Sequence, residues 1–194
     1  MCMNQGNKKN KIAIVGHTRG IGKAIADLYR KKKYTVVGLS SSNGYDLHCS
    51  QIEIMEQLDE CRLVVLNAYV GKGQLTLLKR IYGKYLFENK KVAVITSTSG
   101  TPIGADEELG NPEYRDYCKN KKILIGYIEE LQQELFNKPL SIYDVCPDVV
   151  DTEMTKGLWE DLPKLTAGEV AEAVRYCFES TFNVNKIVIQ KNAH

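Results

Sequence analysis

The chain has 194 residues, a formal charge of +2 and 43% hydrophobic residues. That length suits one domain with its own core, and a charge so near balance gives no reason to expect a nucleic acid partner. Six scattered cysteines without a CxxC pair, together with only three histidines, exclude a patterned metal site and fit a reduced, cytoplasmic setting. No apolar run approaches the roughly 18 residues that a membrane span needs.

Residues 1–10 are polar and read as a flexible lead, and residues 11–194 as a single domain. Ile12–Val15 is a buried strand that runs into Gly16, Gly20 and Gly22. A helix follows to Lys32, with Ile21, Ala24, Ile25 and Leu28 on one face and lysines at its C-terminus. Tyr34–Leu39 is the second strand, ending in Ser40, Ser41, Ser42, Asn43 and Gly44. Tyr45–Leu47 is a minimal third strand, Gln51–Glu60 a weak helix and Arg62–Leu66 a fourth strand. A helix carrying Leu75, Leu78, Ile81, Tyr82 and Tyr85 leads to the strand Lys91–Thr96. A polar loop with Pro102, Gly104, Gly110 and Pro112 opens the long helix Glu113–Phe136. Leu140–Cys146 is a strand, Ala167–Glu179 a helix and Ile187–Gln190 a last short strand.

Short apolar strands alternating with helices predict an α/β fold: a doubly wound, mostly or wholly parallel sheet of seven strands with helices on both faces. Right-handed crossovers bring the strand C-terminal ends to one edge, where ligands bind. Gly16 onward, Ser40, Asn67, Ser97 and Pro147 all fall there. The glycines at 16, 20 and 22 suit a pyrophosphate cradle at a helix N-terminus, although an ordinary strand-to-helix turn has the same pattern. No acid stands at the end of the second strand; Arg19 with the serines at 40–42 suits a 2′-phosphate, or else Arg19 faces solvent. Tyr117 and Lys121 share a helix face. Beside a cation, the phenol is expected to titrate below its ordinary value near 10, which would fit it for proton transfer at a substrate oxygen held by Ser97. Tyr114 and Lys122 offer shifted versions of the same pair.

The set Gly16-x-x-x-Gly20-x-Gly22, Asn67-Ala68, Ser97 and Tyr117-x-x-x-Lys121 resembles the short-chain dehydrogenase/reductase family, from about Lys11 to Ile189. The resemblance implies a Rossmann fold and hydride transfer between a nicotinamide dinucleotide, NADP(H) in preference to NAD(H), and a small-molecule carbonyl or alcohol. It implies Ser97, Tyr117 and Lys121 as the catalytic residues. The cofactor loop would be Gly16, His17, Thr18, Arg19, Gly20, Ile21 and Gly22, with Ser40 and Ser41 at the phosphate and Asp46 and Leu47 at the adenine. Asn67, Ala68, Tyr117, Lys121, Pro147, Val149, Val150 and Thr152 would complete the cofactor contacts, Thr152 at the carboxamide. A homodimer or homotetramer is the implied assembly, with neither membrane nor nucleic acid as partner.

Four features depart from the family pattern. Only about 30 residues separate Asn67 from Ser97, so the intervening helix is short. The family's catalytic asparagine on that helix has no matching residue, and Gln74 is the nearest counterpart. Asp148 stands where a glycine is expected after Pro147, and the loop between Ser97 and Tyr117 is longer than usual. These departures keep open an alternative: a dinucleotide-binding sensor or structural protein without turnover. Met154, Leu158, Trp159 and Leu162 either line an apolar pocket wall or pack a loop.

Overall fold

The structure is a computed structural model that describes residues 10–102 and 112–192. The expected lead, except Asn10, and the loop stretch 103–111 lie outside the described residues. Six strands form one sheet: β1 (Lys11–Val15), β2 (Thr35–Leu39), β3 (Leu63–Leu66), β4 (Lys91–Ile95), β5 (Ser141–Pro147) and β6 (Lys186–Ile189), in the order β2-β1-β3-β4-β5-β6. Every pairing is parallel, so each connection must cross a face of the sheet. The crossing elements are α1 (Gly20–Lys31), α2 (Gln51–Leu58), α3 (Gly73–Tyr85), α4 (Pro112–Glu134) and α5 (Ala167–Glu179).

The near-continuous apolar strands are explained by burial on both faces. Ala13, Val15, Val64, Leu66, Val92 and Val94 meet Ile54 and Leu58 of α2, Leu77 and Ile81 of α3, and Leu124, Ile128 and Leu131 of α4. Their neighbours Ile12, Ile14, Val65, Ala93, Tyr143 and Val145 meet Ile25, Ala26 and Tyr29 of α1 and Val170, Ala171, Val174 and Cys177 of α5. Helix α4 buries Cys118, Lys121, Leu124, Ile125, Ile128 and Leu131, a stripe of three- and four-residue steps with one cation in it. Helix α5 begins at a capping box, in which the Thr166 hydroxyl accepts from the Glu169 amide at 3.2 Å and the Glu169 carboxylate accepts from the Thr166 amide at 2.7 Å.

One expected strand does not form. Tyr45–Leu47 belongs to a turn, and β2 is the sheet's edge. Leu47 drops into the core, 3% exposed, under Gly73. The Asp46 carboxylate accepts from the His48 amide at 2.7 Å, a local turn bond that competes with strand pairing. Among the described residues the sheet therefore has six strands rather than seven. No described helix is long and apolar enough to cross a membrane.

Candidate active site

The strand C-terminal ends meet the long helix at one place. Beyond β4 the chain passes through Thr96 and Ser97 into a single 3-10 turn, Thr98–Gly100. Gly100 lies flat on α4, where a Cβ would stand 2.8 Å from the Lys121 carbonyl carbon. That close approach brings the Ser97 turn against α4, where the Ser97 hydroxyl acts on the Tyr117 phenol and opposes its rise. The Ser97 hydroxyl also accepts from the Ser99 amide at 3.2 Å, and the Tyr114 phenol donates to Ser99 Oγ at 3.2 Å. Tyr117 is wedged between rings, with centroids 4.8 Å from Tyr69 and 6.3 Å from Tyr114.

Lys121 is 3% exposed. Its Nζ donates to the Ile95 carbonyl at 2.8 Å and to Gln74 Oε1 at 3.0 Å, and lies 5.6 Å from the Tyr117 ring centroid. Gln74, also buried, turns its Nε2 to the carbonyls of Leu66 at 2.8 Å and Ile95 at 3.1 Å. One carboxamide thus ties α3 to the ends of β3 and β4 and presents its oxygen to the lysine.

Burial decides the electrostatics. It pushes the Tyr117 phenol up to about 12, against the opposing pull of the Ser97 hydrogen bond. It also lowers the Lys121 ammonium to about 7, with Asp144 acting the other way. The expectation that a neighbouring cation would bring the phenol below its ordinary value is therefore corrected: loss of solvent outweighs the pair attraction. Asp144 sits behind the site, 1% exposed, and burial raises its carboxyl. It accepts from Thr96 Oγ1 and lies 3.3 Å from Lys186 Nζ.

The glycine loop forms as a tight cradle. Gly16 has φ +88°, and a Cβ there would meet Ala68 N at 2.8 Å. At Gly22 a Cβ would stand 1.9 Å from the Gly16 carbonyl oxygen, so only hydrogen fits at either position. Asn67 Nδ2 donates to that same carbonyl at 2.9 Å, and the amides of Asn67 and Ala68 both donate to Val15 O. Thr152 packs beside Gly20, which brings the loop after β5 to the start of α1. Arg19, at the N-cap, gives no side-chain bond to the first-turn amides. His17 rests on Gly38, and its buried Nδ1 has no partner.

No protein-family model matches the sequence. The 3-oxoacyl-(acyl-carrier-protein) reductase FabG of Vibrio harveyi is 27% identical over 206 residues, covering 84% of this chain and 83% of the relative. Carbonyl reductase family member 4 of Xenopus laevis is 25% identical over 222 residues, covering 91% and 94%. In sequence and in fold the chain is similar to short-chain dehydrogenase/reductases. The fold agrees: a 3-alpha-hydroxysteroid dehydrogenase from Pseudomonas sp. B-0831, complexed with NADH, superposes at a TM-score of 0.76 with 17% identity, covering 92% of this chain and 94% of that one. A small-chain dehydrogenase in complex with NADPH superposes at 0.71 with 15% identity, covering 93% and 96%.

The geometry of the loop and the strand ends fits a dinucleotide. The uncapped first turn of α1 leaves amides for a pyrophosphate, and the cradle excludes any Cβ that would fill it. Thr18, Arg19 and Ser41 are exposed on its rim, and Ser40 is held by Ser42 and Asn43. Ile21 packs on the α1–α5 core, and Val150 is buried there too, its backbone bridging Leu165. Pro147 ends β5, and the Val149 carbonyl accepts from the Leu165 amide. Asp148, in the family's glycine position, accepts from Thr98 Oγ1 at 2.8 Å and so ties the Ser97 turn to the end of β5. Trp159 leans on Tyr114 with centroids 5.7 Å apart, while Met154, Leu158 and Leu162 stay exposed. Sequence reasoning left Tyr69, Asp144 and Asp148 without a role at this site and offered Tyr114 only as a shifted alternative to Tyr117. Their contacts come from packing, which carries no local signature.

Proposed function

We propose that this chain is an NADP(H)-dependent oxidoreductase that interconverts a small-molecule carbonyl and its alcohol, with Tyr117 as general acid/base. The observation that carries the reading is the gathering of Ser97, Tyr117, Lys121 and Gln74 at the strand ends beside a glycine cradle. A bound nicotinamide dinucleotide supplies or accepts the hydride. Ser97 Oγ holds the substrate oxygen, and Tyr117 Oη gives that oxygen its proton as the carbonyl becomes an alcohol. A phenol held near 12 is protonated at neutral pH, which suits the reduction direction. Lys121 positions the ribose and, when charged, stabilises the phenolate left behind. NADP(H) is favoured over NAD(H) because Arg19 stands exposed beside the cradle and β2 ends in serines rather than an acid. The reading extends to a cytoplasmic homo-oligomer of one-domain protomers. The alternative without turnover rests on the short helix before Ser97 and the missing asparagine; Gln74 in contact with Lys121 does not favour it.

Tyr117→Phe tests the assignment. NADPH binding, followed by cofactor fluorescence, is expected to persist, while carbonyl reduction falls by about 10²-fold or more. Unchanged turnover overturns the role of Tyr117, and tighter binding of NADH than NADPH in paired titrations overturns the role of Arg19.

A further inference from the structure

At the opposite edge of the sheet from Tyr117, the starts of β3 and β4 and the ends of α1 and α5 enclose a second cavity. It has a volume of about 90 Å³ and is lined by Tyr29, Tyr34, Arg62, Lys91, Phe178 and Glu179, among others. A single water needs only about 10–15 Å³ of such space. The polar groups around it are unusual in what they lack. Tyr29 is 1% exposed, and its buried phenol oxygen has no hydrogen-bond partner. Arg62 Nε is buried and equally unpartnered. Burial keeps the Tyr29 phenol protonated by raising it far above its ordinary value, so it remains a donor.

The charges point the same way. Glu179 is the one acid on the wall; its carboxylate is paired with Lys32 at 2.8 Å and Arg175 at 2.7 Å, and it acts with burial to raise the Tyr29 phenol. Among the described residues, no carboxylate pairs with Arg62 or Lys91. Lys91 Nζ donates to the Phe178 carbonyl at 2.6 Å and lies over the Tyr143 ring, 6.0 Å from its centroid, and its ammonium is lowered first by burial and then by repulsion from Arg62. Two unneutralised cations facing one cavity, with a buried phenol donor between elements, leave a charge that water does not cancel. We infer that this cavity is an anion site that takes a small oxyanion: inorganic phosphate, or the phosphoryl end of a larger ligand. Tetrahedral oxygens offer acceptors to the phenol, the guanidinium and the ammonium at once. The inference stands independently of the redox reading, because none of these groups belongs to the cradle or the Ser97–Tyr117 site.

The test is a titration of the ligand-free protein with sodium phosphate against sodium chloride at matched ionic strength, read by calorimetry and thermal unfolding. Saturable binding is expected, with the midpoint rising by about 3 °C at tenfold excess over Kd. Phosphate can also visit the dinucleotide cradle, so the same titration is run on Arg62→Gln, Tyr29→Phe and Arg19→Gln. Affinity is expected to fall about tenfold in Arg62→Gln and several-fold in Tyr29→Phe, and to persist in Arg19→Gln. Tyr29→Phe removes one oxygen and keeps the ring packing, so it serves if Arg62→Gln does not fold. Absence of saturable binding in the unsubstituted protein overturns the inference whatever the variants do. Loss in Arg19→Gln with retention in Tyr29→Phe and Arg62→Gln assigns the phosphate to the cradle and overturns it as well. Phenyl phosphate separates the two sources: equal or tighter binding than phosphate supports a phosphoryl group on a larger ligand, and weaker binding supports the inorganic ion.

Discussion

Replacing Lys121 with Met should change how stability depends on pH. In the folded, ligand-free protein Lys121 is 3% exposed, and its ammonium is lowered from 10.5 to about 7. The unfolded chain restores the ordinary value, so between pH 7 and 10.5 the unfolded state binds the extra proton. Stability therefore rises with pH across that window and is lost again as pH falls toward 7. A displacement of this size corresponds to about 5 kcal/mol between the two protonation states, of which about 3 kcal/mol is recovered between pH 7 and 10; relaxation around the amine makes this a ceiling. Urea unfolding of the native protein and of Lys121→Met, both reduced, at pH 7 and pH 10 isolates the contribution, because the other titrating groups are common to both. The native protein should gain on the variant by about 1–3 kcal/mol at the higher pH. A gap between the two proteins that stays the same at both pH values would refute the claim that burial controls this amine, and with it the explanation of why Tyr117 is not acidified.

Two further substitutions test the surroundings. Gly22→Ala places a Cβ 1.9 Å from a backbone oxygen, so it should cost about 3 kcal/mol of stability or more and abolish dinucleotide binding; thermal unfolding and NADPH fluorescence check both. Gln74→Leu keeps much of the volume but strips two carbonyls of a donor and Lys121 of an acceptor. A loss of about 2–3 kcal/mol is expected, with a fall in kcat and little change in NADPH affinity, measured by urea unfolding and steady-state kinetics.

The residues most legible in the sequence are those whose neighbours along the chain explain them. The glycines at 16, 20 and 22 follow a buried strand and open a helix, and Tyr117 and Lys121 share a face by spacing alone. The boundaries of α5 were readable because Thr166 and Glu169 cap its start within one turn. Tyr45–Leu47 misled because a single buried leucine in a turn has the same composition as a very short strand. Gln74 was only the nearest counterpart in sequence, since its meeting with Lys121 depends on how α3 docks against β4. Asp144 lies inside an apolar strand pattern, and nothing local reveals that Thr96 and Lys186 reach it. The direction in which Tyr117 titrates was misjudged for a related reason: a pair attraction is visible in spacing, whereas the loss of solvent around three packed tyrosines is not.

The glycine cradle also bears on the order in which the protein assembles. Its shape depends on Asn67 Nδ2 reaching Gly16 O across 51 residues and on two further amides closing on Val15. A nascent chain that has made only β1, α1 and β2 has the glycines but not the clasp, and joining β3 beside β1 is a long-range closure that is entropically slow. Dinucleotide affinity then appears in one step with the β1–β3 pairing, so quenched-flow refolding in the presence of cofactor would time the closure of the sheet's centre from the ligand signal alone.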